Sequence, residues 1–406
     1  MTTFTHTLSN GLRLIHLPTN SQVAYCGLAV NAGARDEKTQ EHGLAHFVEH
    51  TLFKGTHKRK AWHILNRMEN VGGELNAYTS KESTFVYSIF LEKDLTRAVE
   101  LISDLVINSR FPEHELKKER EVIIDEIQSY EDSPSELIFD DFENLLFDGH
   151  PLGHHILGKR NTLKSFDTMK AKSFVEHFYV AENMAFFSMS CTDFKQVIKI
   201  ADKYLTMLPT QKTPILREKP PVVLTREMLK KKKTHLSHVI IGGRAYDMYD
   251  KNRYTLFLLN NILGGPGMNS RLNVVLREKN GLAYQIESNI TSYTDTGVFT
   301  IYFGTDPKNR ERAVSLVEKE ITAIRSNKLT TTRLAAAKKQ ATGQLGIAGD
   351  HKESLFLGLG KSFLHYNNYE TLPEVFAKIE QITADQVLET AHELLHPERT
   401  IRLIYE

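Results

Sequence analysis

Residues 42–53 read His42-Gly43-Leu44-Ala45-His46-Phe47-Val48-Glu49-His50-Thr51-Leu52-Phe53, and three polar side chains in this apolar stretch govern the rest of the reading. On a helix, His46 and His50 fall about 40° apart, so both imidazoles leave one face. Glu49 lies about 60° to the other side of His46. Two neutral imidazoles at i and i+4 suit zinc, and a carboxylate as third ligand would leave one position open for water. Glu49 would then take a proton from that water.

The third ligand needs a source. Glu119-Arg120-Glu121-Val122-Ile123-Ile124-Asp125-Glu126 lies in a strongly helical stretch. Glu119 and Glu126 are two turns apart and share a face, so this helix is the best source of the missing carboxylate. A solvated helix would also carry such acids, and spacing alone leaves the choice between them open.

Around these segments the chain alternates strands and helices. Thr5 to Val30 reads as strands, with Asn10-Gly11 as a hairpin turn because both residues tolerate positive φ. A helix is expected from about Glu41 to Phe53, and a strand region from Glu74 to Phe90 after Gly72-Gly73. Helices are expected next from Lys93 to Ser109, with Leu95, Val99, Leu101 and Ile102 at helical spacing, and from Glu113 to Tyr130.

Composition narrows the class. With 406 residues, 41% hydrophobic and 25% charged, the chain is an ordinary globular protein of two or more domains. Fifty-one basic against 50 acidic residues give a net charge of +1, which excludes broad electrostatic capture of nucleic acid or anionic membrane. Cys26 and Cys191 stand far apart and form no thiolate metal pair. The amino terminus has no signal or transit pattern, and no apolar run reaches the ~20 residues needed to span a bilayer. The expectation is a soluble, cytoplasmic protein.

Near Thr213 to Pro221, prolines 214, 220 and 221 break all periodicity and mark a linker. The residues after this linker repeat the pattern of those before it. Tyr78-Thr79 and Phe85-Val86-Tyr87 line up with Tyr293-Thr294 and Thr300-Ile301-Tyr302 at an offset of 215, as does Arg97-Ala98-Val99 with Arg312-Ala313-Val314. Two copies of one α+β unit are expected, at 1–213 and 222–406, each a mainly antiparallel sheet packed with helices. At this offset His46, His50 and Glu126 fall on Asn261, Gly265 and Ala341, which cannot replace a zinc ligand set. Gly264-Gly265-Pro266-Gly267 reads as a turn between helices, and His154 and His155 as part of a loop.

His-x-x-Glu-His inverts the usual zinc-peptidase order. With Gly43 to His50 and the adjoining Phe53-Lys54-Gly55-Thr56, the chain resembles the pitrilysin/insulin-degrading-enzyme family of zinc metallopeptidases, in its short, mitochondrial-processing-peptidase-like branch. The resemblance implies that Glu126, 76 residues beyond His50, is the last zinc ligand. It implies that Glu119 supports the site without binding the metal. Gly72 to Ser80 is similar to the family's edge strand, which pairs with the substrate backbone, so Asn76, Ala77 and Tyr78 become substrate contacts. Arg277 and Tyr284, seven residues apart, match a pair that contacts substrate near the zinc.

The family further implies that each chain is half of a clamshell holding one Zn2+, and that two chains enclose a chamber. The expected function is zinc-dependent endopeptidase action on short or unfolded peptides, by a homodimer or by a heterodimer with a zinc-free homologue. The alternative is a catalytically silent structural or partner subunit. Such relatives usually lose part of the ligand set, and here every position is filled.

Overall fold

The computed structural model describes residues 2–210, 215–221 and 226–406. The first stretch runs β1 (Phe4–Thr7), β2 (Arg13–Pro18), β3 (Val23–Val30), α1 (Leu44–Leu52), α2 (Ala61–Glu69), β4 (Glu74–Thr79), β5 (Thr84–Leu91), α3 (Leu95–Asn108), α4 (Glu113–Glu131), α5 (Pro134–Leu146), α6 (Arg160–Leu163), α7 (Thr168–Phe178), β6 (Met184–Ser190) and α8 (Phe194–Leu205). The later part of the chain forms β7 (Glu227–Lys230), β8 (Ser237–Ala245), α9 (Arg253–Gly264), a π-helical turn (Asn273–Glu278), β9 (Ala283–Ser292), β10 (Gly297–Thr305), α10 (Arg310–Ser326), α11 (Thr331–Ala348), α12 (Lys352–Tyr366), α13 (Leu372–Glu380), α14 (Ala384–Leu394) and β11 (Thr400–Tyr405).

One sheet has the order β1-β2-β6-β3-β5-β4 and the other β7-β11-β8-β10-β9. Both are antiparallel except for one parallel pair each, β2 with β6 and β7 with β11. Leaving out β1, the two orders are the same topology. The repeat is therefore structural, but no single offset describes it. Thr79 pairs with Thr84 and Ser292 with Gly297, an offset of 213 at the hairpin turn. The helices after these hairpins begin at Leu95 and Arg310, an offset of 215. One more residue in β10 than in β5, nine against eight, and Asp306 between β10 and the turn at Pro307 take up the difference.

The compact units are not continuous in sequence. The first comprises Met1–Gln128, His154–Arg217 and Gly349–Thr371; the second comprises Ser129–Gly153, Glu218–Ala348 and Leu372–Glu406. The expected domain edges at 213 and 222 lie outside the described residues, as do Thr213 and Pro214 of the expected linker. Two segments depart from the division at the linker, since α5 belongs to the second unit and α12 to the first. A sheet has two faces to cover. In the first unit one face carries α1, α3 and α7, while Ile15, Phe85 and Phe187 on the other meet Phe356, Leu359 and Phe363 of α12. The approach is close: a Cβ at Gly360 would lie 2.7 Å from the Phe187 ring. In the second unit Ile138, Phe142 and Leu145 of α5 cover Ile240, Tyr302 and Leu403 in the same way. Each such side chain contributes roughly 1.5–3 kcal/mol on burial, enough to fix both assignments.

At the first hairpin only Gly11 takes a positive φ (87°). Asn10 donates from Nδ2 to the Leu205 carbonyl at 2.9 Å and accepts the Leu12 N–H at Oδ1 at 3.2 Å, so a tertiary contact and a local turn contact both hold it. Among the described residues no helix is long and apolar enough to cross a membrane.

Candidate metal centre

Helix α1 starts at a glycine for two reasons. Gly43 has φ 97°, in the left-handed region, and a Cβ there would lie 2.8 Å from the Leu157 carbonyl oxygen. The orphan N–H groups of the first turn are met from upstream: Gly43 donates to Glu37 Oε2 at 2.8 Å and Ala45 to Oε1 at 2.7 Å. Leu44, Phe47, Val48 and Leu52 anchor the helix in the core. Helix α4 is held by a buried stripe of Leu116, Ile123 and Ile127, with Glu119 buried beside them.

The two helices bring His46, His50 and Glu126 together, with one donor atom of each within 4.8 Å of the others. Glu126 Oε2 lies 3.8 Å from His46 Nε2 and 3.6 Å from His50 Nε2. Both distances exceed a hydrogen bond. They are near the roughly 3.3–3.5 Å that separates donors sharing a tetrahedral zinc with bonds of about 2.0–2.1 Å. The set therefore fits zinc in number, type and spacing. Glu119 Oε2 meets His50 Nδ1 at 3.2 Å, and Lys54 Nζ meets Glu119 Oε1 at 2.6 Å. With Nδ1–H donated to Glu119, His50 Nε2 keeps its lone pair for a metal.

Burial and neighbouring charges act differently on the four groups. Burial, with His50 nearby, pulls His46 down to about 3, so its imidazole stays neutral. Burial also pulls His50 down, but the Glu119 hydrogen bond and the Glu49, Glu126 and Glu119 charges outweigh it and hold His50 above its ordinary value. For Glu119, burial pushes upward and is outweighed by His50 and Lys54, which keep it below the usual carboxylate range. Glu49 goes the other way, since burial raises it despite the Thr79 hydroxyl, which donates to Oε2 at 2.6 Å. It is a buried carboxylate with raised proton affinity beside the donor set, as a general base requires.

Strand β4 lies at the edge of its sheet, next to α1. Thr79, its last residue, touches Glu49, and Leu75 and Ala77 face the same core as α1. Tyr78 faces the other way, its ring stacked on Phe85 at 4.8 Å, so any role for it at the zinc side falls to its backbone. In the second unit, the Arg277 guanidinium lies over the Tyr284 ring at 4.9 Å, and Tyr284 is 84% exposed. The two line a cleft of about 470 Å³ with Asn273, Gly264 and Pro266. Arg277 sits on the π-helical turn, a distortion that the sequence reading did not anticipate.

The counterparts of α1 and α4 are α9 and α11. Neither carries a His, Cys, Asp or Glu. Gly265 falls just beyond the end of α9, so the single offset misplaces that counterpart. Asn261 Nδ2 instead donates to Gln344 Oε1 at 2.6 Å. Glu37, Thr79 and Lys54 had no role in the sequence reading. Lys54 and Thr79 lie within the zinc-helix and edge-strand motifs, but only the contacts across the fold give them partners. His154 is in a loop as expected, yet it is buried, with Nε2 3.0 Å from Glu37 Oε2.

Comparison with known proteins gives the family of this fold. Residues 14–160 match the family described as Insulinase (Peptidase family M16), and residues 165–341 match the Peptidase M16 inactive domain. The chain is 30% identical over 401 residues to a protein of Bacillus subtilis (strain 168) named Uncharacterized zinc protease YmxG, covering 98% of this chain and 97% of that one. It is 32% identical over 400 residues to an Uncharacterized zinc protease of Rickettsia felis, covering 98% and 96%. The crystal structure of a protease from Helicobacter pylori superposes with a TM-score of 0.94 at 21% identity, covering 100% of this chain and 99% of that one. The crystal structure of a peptidase M16 inactive domain from Pseudomonas fluorescens gives 0.92 at 19%, covering 100% and 98%. The chain belongs to the M16 peptidase family, and its fold is the two-unit α+β fold of that family.

Proposed function

We propose that the protein is a zinc-dependent endopeptidase that cuts short or unfolded peptides, with one zinc per chain on His46, His50 and Glu126. The observation that carries this reading is the donor set: ligand atoms of His46, His50 and Glu126 converge at non-bonding distances, with a buried carboxylate of raised proton affinity at their side. Bound zinc would supply a Lewis acid that polarises water and the scissile carbonyl. Glu49 accepts the proton from water, keeps its orientation through Thr79, and passes the proton to the leaving amine. The free edge of β4 offers main-chain donors and acceptors to an extended peptide near Asn76 and Ala77, with little regard to sequence. Arg277 and Tyr284 hold the peptide and donate to the developing oxyanion. The enzyme acts in the cytoplasm as a homodimer, in which the second unit of one protomer serves the zinc site of its partner. A silent partner subunit would have no use for a complete ligand set and base.

The test is metal content and hydrolysis of an unstructured peptide, measured on wild type and Glu49→Gln side by side. Glu49→Gln should keep one zinc per chain and lose about 10²–10⁴-fold in turnover. Loss of metal, or turnover near wild type, would overturn the role of Glu49. Mixing Glu49→Gln with Tyr284→Phe under subunit exchange should restore activity toward half of wild type per mixed dimer. No return of activity with exchange demonstrated would sink the shared site.

A further inference from the structure

The two histidines of the metal centre are held differently. His50 has its ring oriented by Glu119 through Nδ1. His46 Nδ1 is buried and has no hydrogen-bond partner among the described residues. Nothing bonded to the ring therefore aims His46, and its direction depends on where the first turn of α1 is placed. One residue supplies hydrogen bonds to that turn. The Glu37 side chain is fully buried, and its two oxygens receive the N–H groups of Gly43 and of Ala45, the residue before His46. Gly43 has no side chain with which to cap a helix of nine residues, so the cap is supplied from six positions upstream. Behind Glu37, His154 Nε2 meets Oε2 at 3.0 Å. The His154 ring is stacked on His42 at 3.8 Å and 3°, and its carbonyl oxygen accepts from Lys81 Nζ at 2.5 Å.

We infer that Glu37, backed by His154, is a positioning residue that aims His46 at the metal by fixing the first turn of α1. This role rests on the zinc-peptidase reading of the site. Each oxygen of Glu37 must accept a backbone N–H, and an amide can offer only one acceptor, so Glu37→Gln is an isosteric substitution that removes half of the grip.

The experiment measures zinc affinity by chelator competition, and the absorption spectrum of the cobalt-substituted protein, in wild type, Glu37→Gln, His154→Gln and Leu101→Ala. Leu101, fully buried in α3, serves as a control that lowers stability without touching the cap. Glu37→Gln should weaken zinc binding about 10–100-fold, alter the cobalt spectrum, and lower kcat more than it raises KM. His154→Gln should move the same readouts less. Leu101→Ala should lower the melting temperature and leave zinc affinity unchanged. Wild-type zinc affinity and cobalt spectrum in Glu37→Gln, or in His154→Gln if the former does not fold, would overturn the inference. Zinc retained at full affinity by His50→Ala would instead overturn the metal reading itself, which separates the two failures.

Discussion

The helix pairs α1/α4 and α9/α11 occupy the same place in two sheets of the same strand order, yet only the first brings imidazole and carboxylate donors together. In the first pair the facing donors are imidazole and carboxylate atoms held 3.6 and 3.8 Å apart, too far to bond each other. In the second, the amides of Asn261 and Gln344 close directly at 2.6 Å. An amide brings its own donor and acceptor, so the pair satisfies itself. The imidazole Nε2 atoms and the Glu126 carboxylate stand 3.6 and 3.8 Å apart and do not close on each other in this way.

Removing a ligand from the first pair should produce the largest effect. His50→Ala or Glu126→Gln should leave zinc sub-stoichiometric after dialysis and abolish hydrolysis, with the fold retained by circular dichroism. If Glu126→Gln held zinc as firmly as wild type, the third ligand would have to be sought at Glu119. Next in size is the contribution of the second unit. Tyr284→Phe should lower kcat roughly a hundredfold at unchanged zinc content, the loss typical of one oxyanion-side donor. Full activity in that variant would leave the second unit without a chemical role.

A smaller effect concerns pH. Glu49 works when deprotonated, so activity falls as pH drops through its folded value, which burial has raised above the ordinary carboxylate range. The Thr79 hydroxyl favours the ionised form and opposes that rise. Thr79→Val should accordingly move the acid limb of the kcat profile to higher pH while the alkaline limb stays in place. A shift downward would contradict the hydrogen bond's role. The smallest effect belongs to the silent pair. Asn261→Leu leaves the Gln344 amide unpaired and should cost about 1–3 kcal/mol of stability, read by denaturant unfolding, with zinc content and turnover unchanged. A change in metal content there would mean that the α9/α11 pair is not silent.

Much of the candidate site was legible early because its core is local. His46, Glu49 and His50 share a helix, and backbone hydrogen bonding sets their relative directions whatever surrounds them. Glu119 and Glu126 share a face for the same reason, but spacing could not say which of them is the ligand. That choice came from resemblance to a family, and the fold gives the two acids different partners, Glu126 facing the histidine Nε2 atoms and Glu119 facing His50 Nδ1 and Lys54. The repeat was visible as scattered identities, but a constant offset could not track the longer β10.

What the sequence by itself determined is the chemistry of one helix, the order of strands and helices, and the existence of two copies. Only the tertiary structure decided that Thr79 donates to Glu49, that Glu37 accepts from the start of α1 with His154 behind it, and that α5 and α12 each complete a sheet outside their own half of the chain. The reason is the range of the forces involved. Helical periodicity is fixed by bonds between residues four apart, and it can be read from a short window. A buried carboxyl or an uncovered sheet face takes whichever partner packing brings to it, and no local pattern records where along the chain that partner lies.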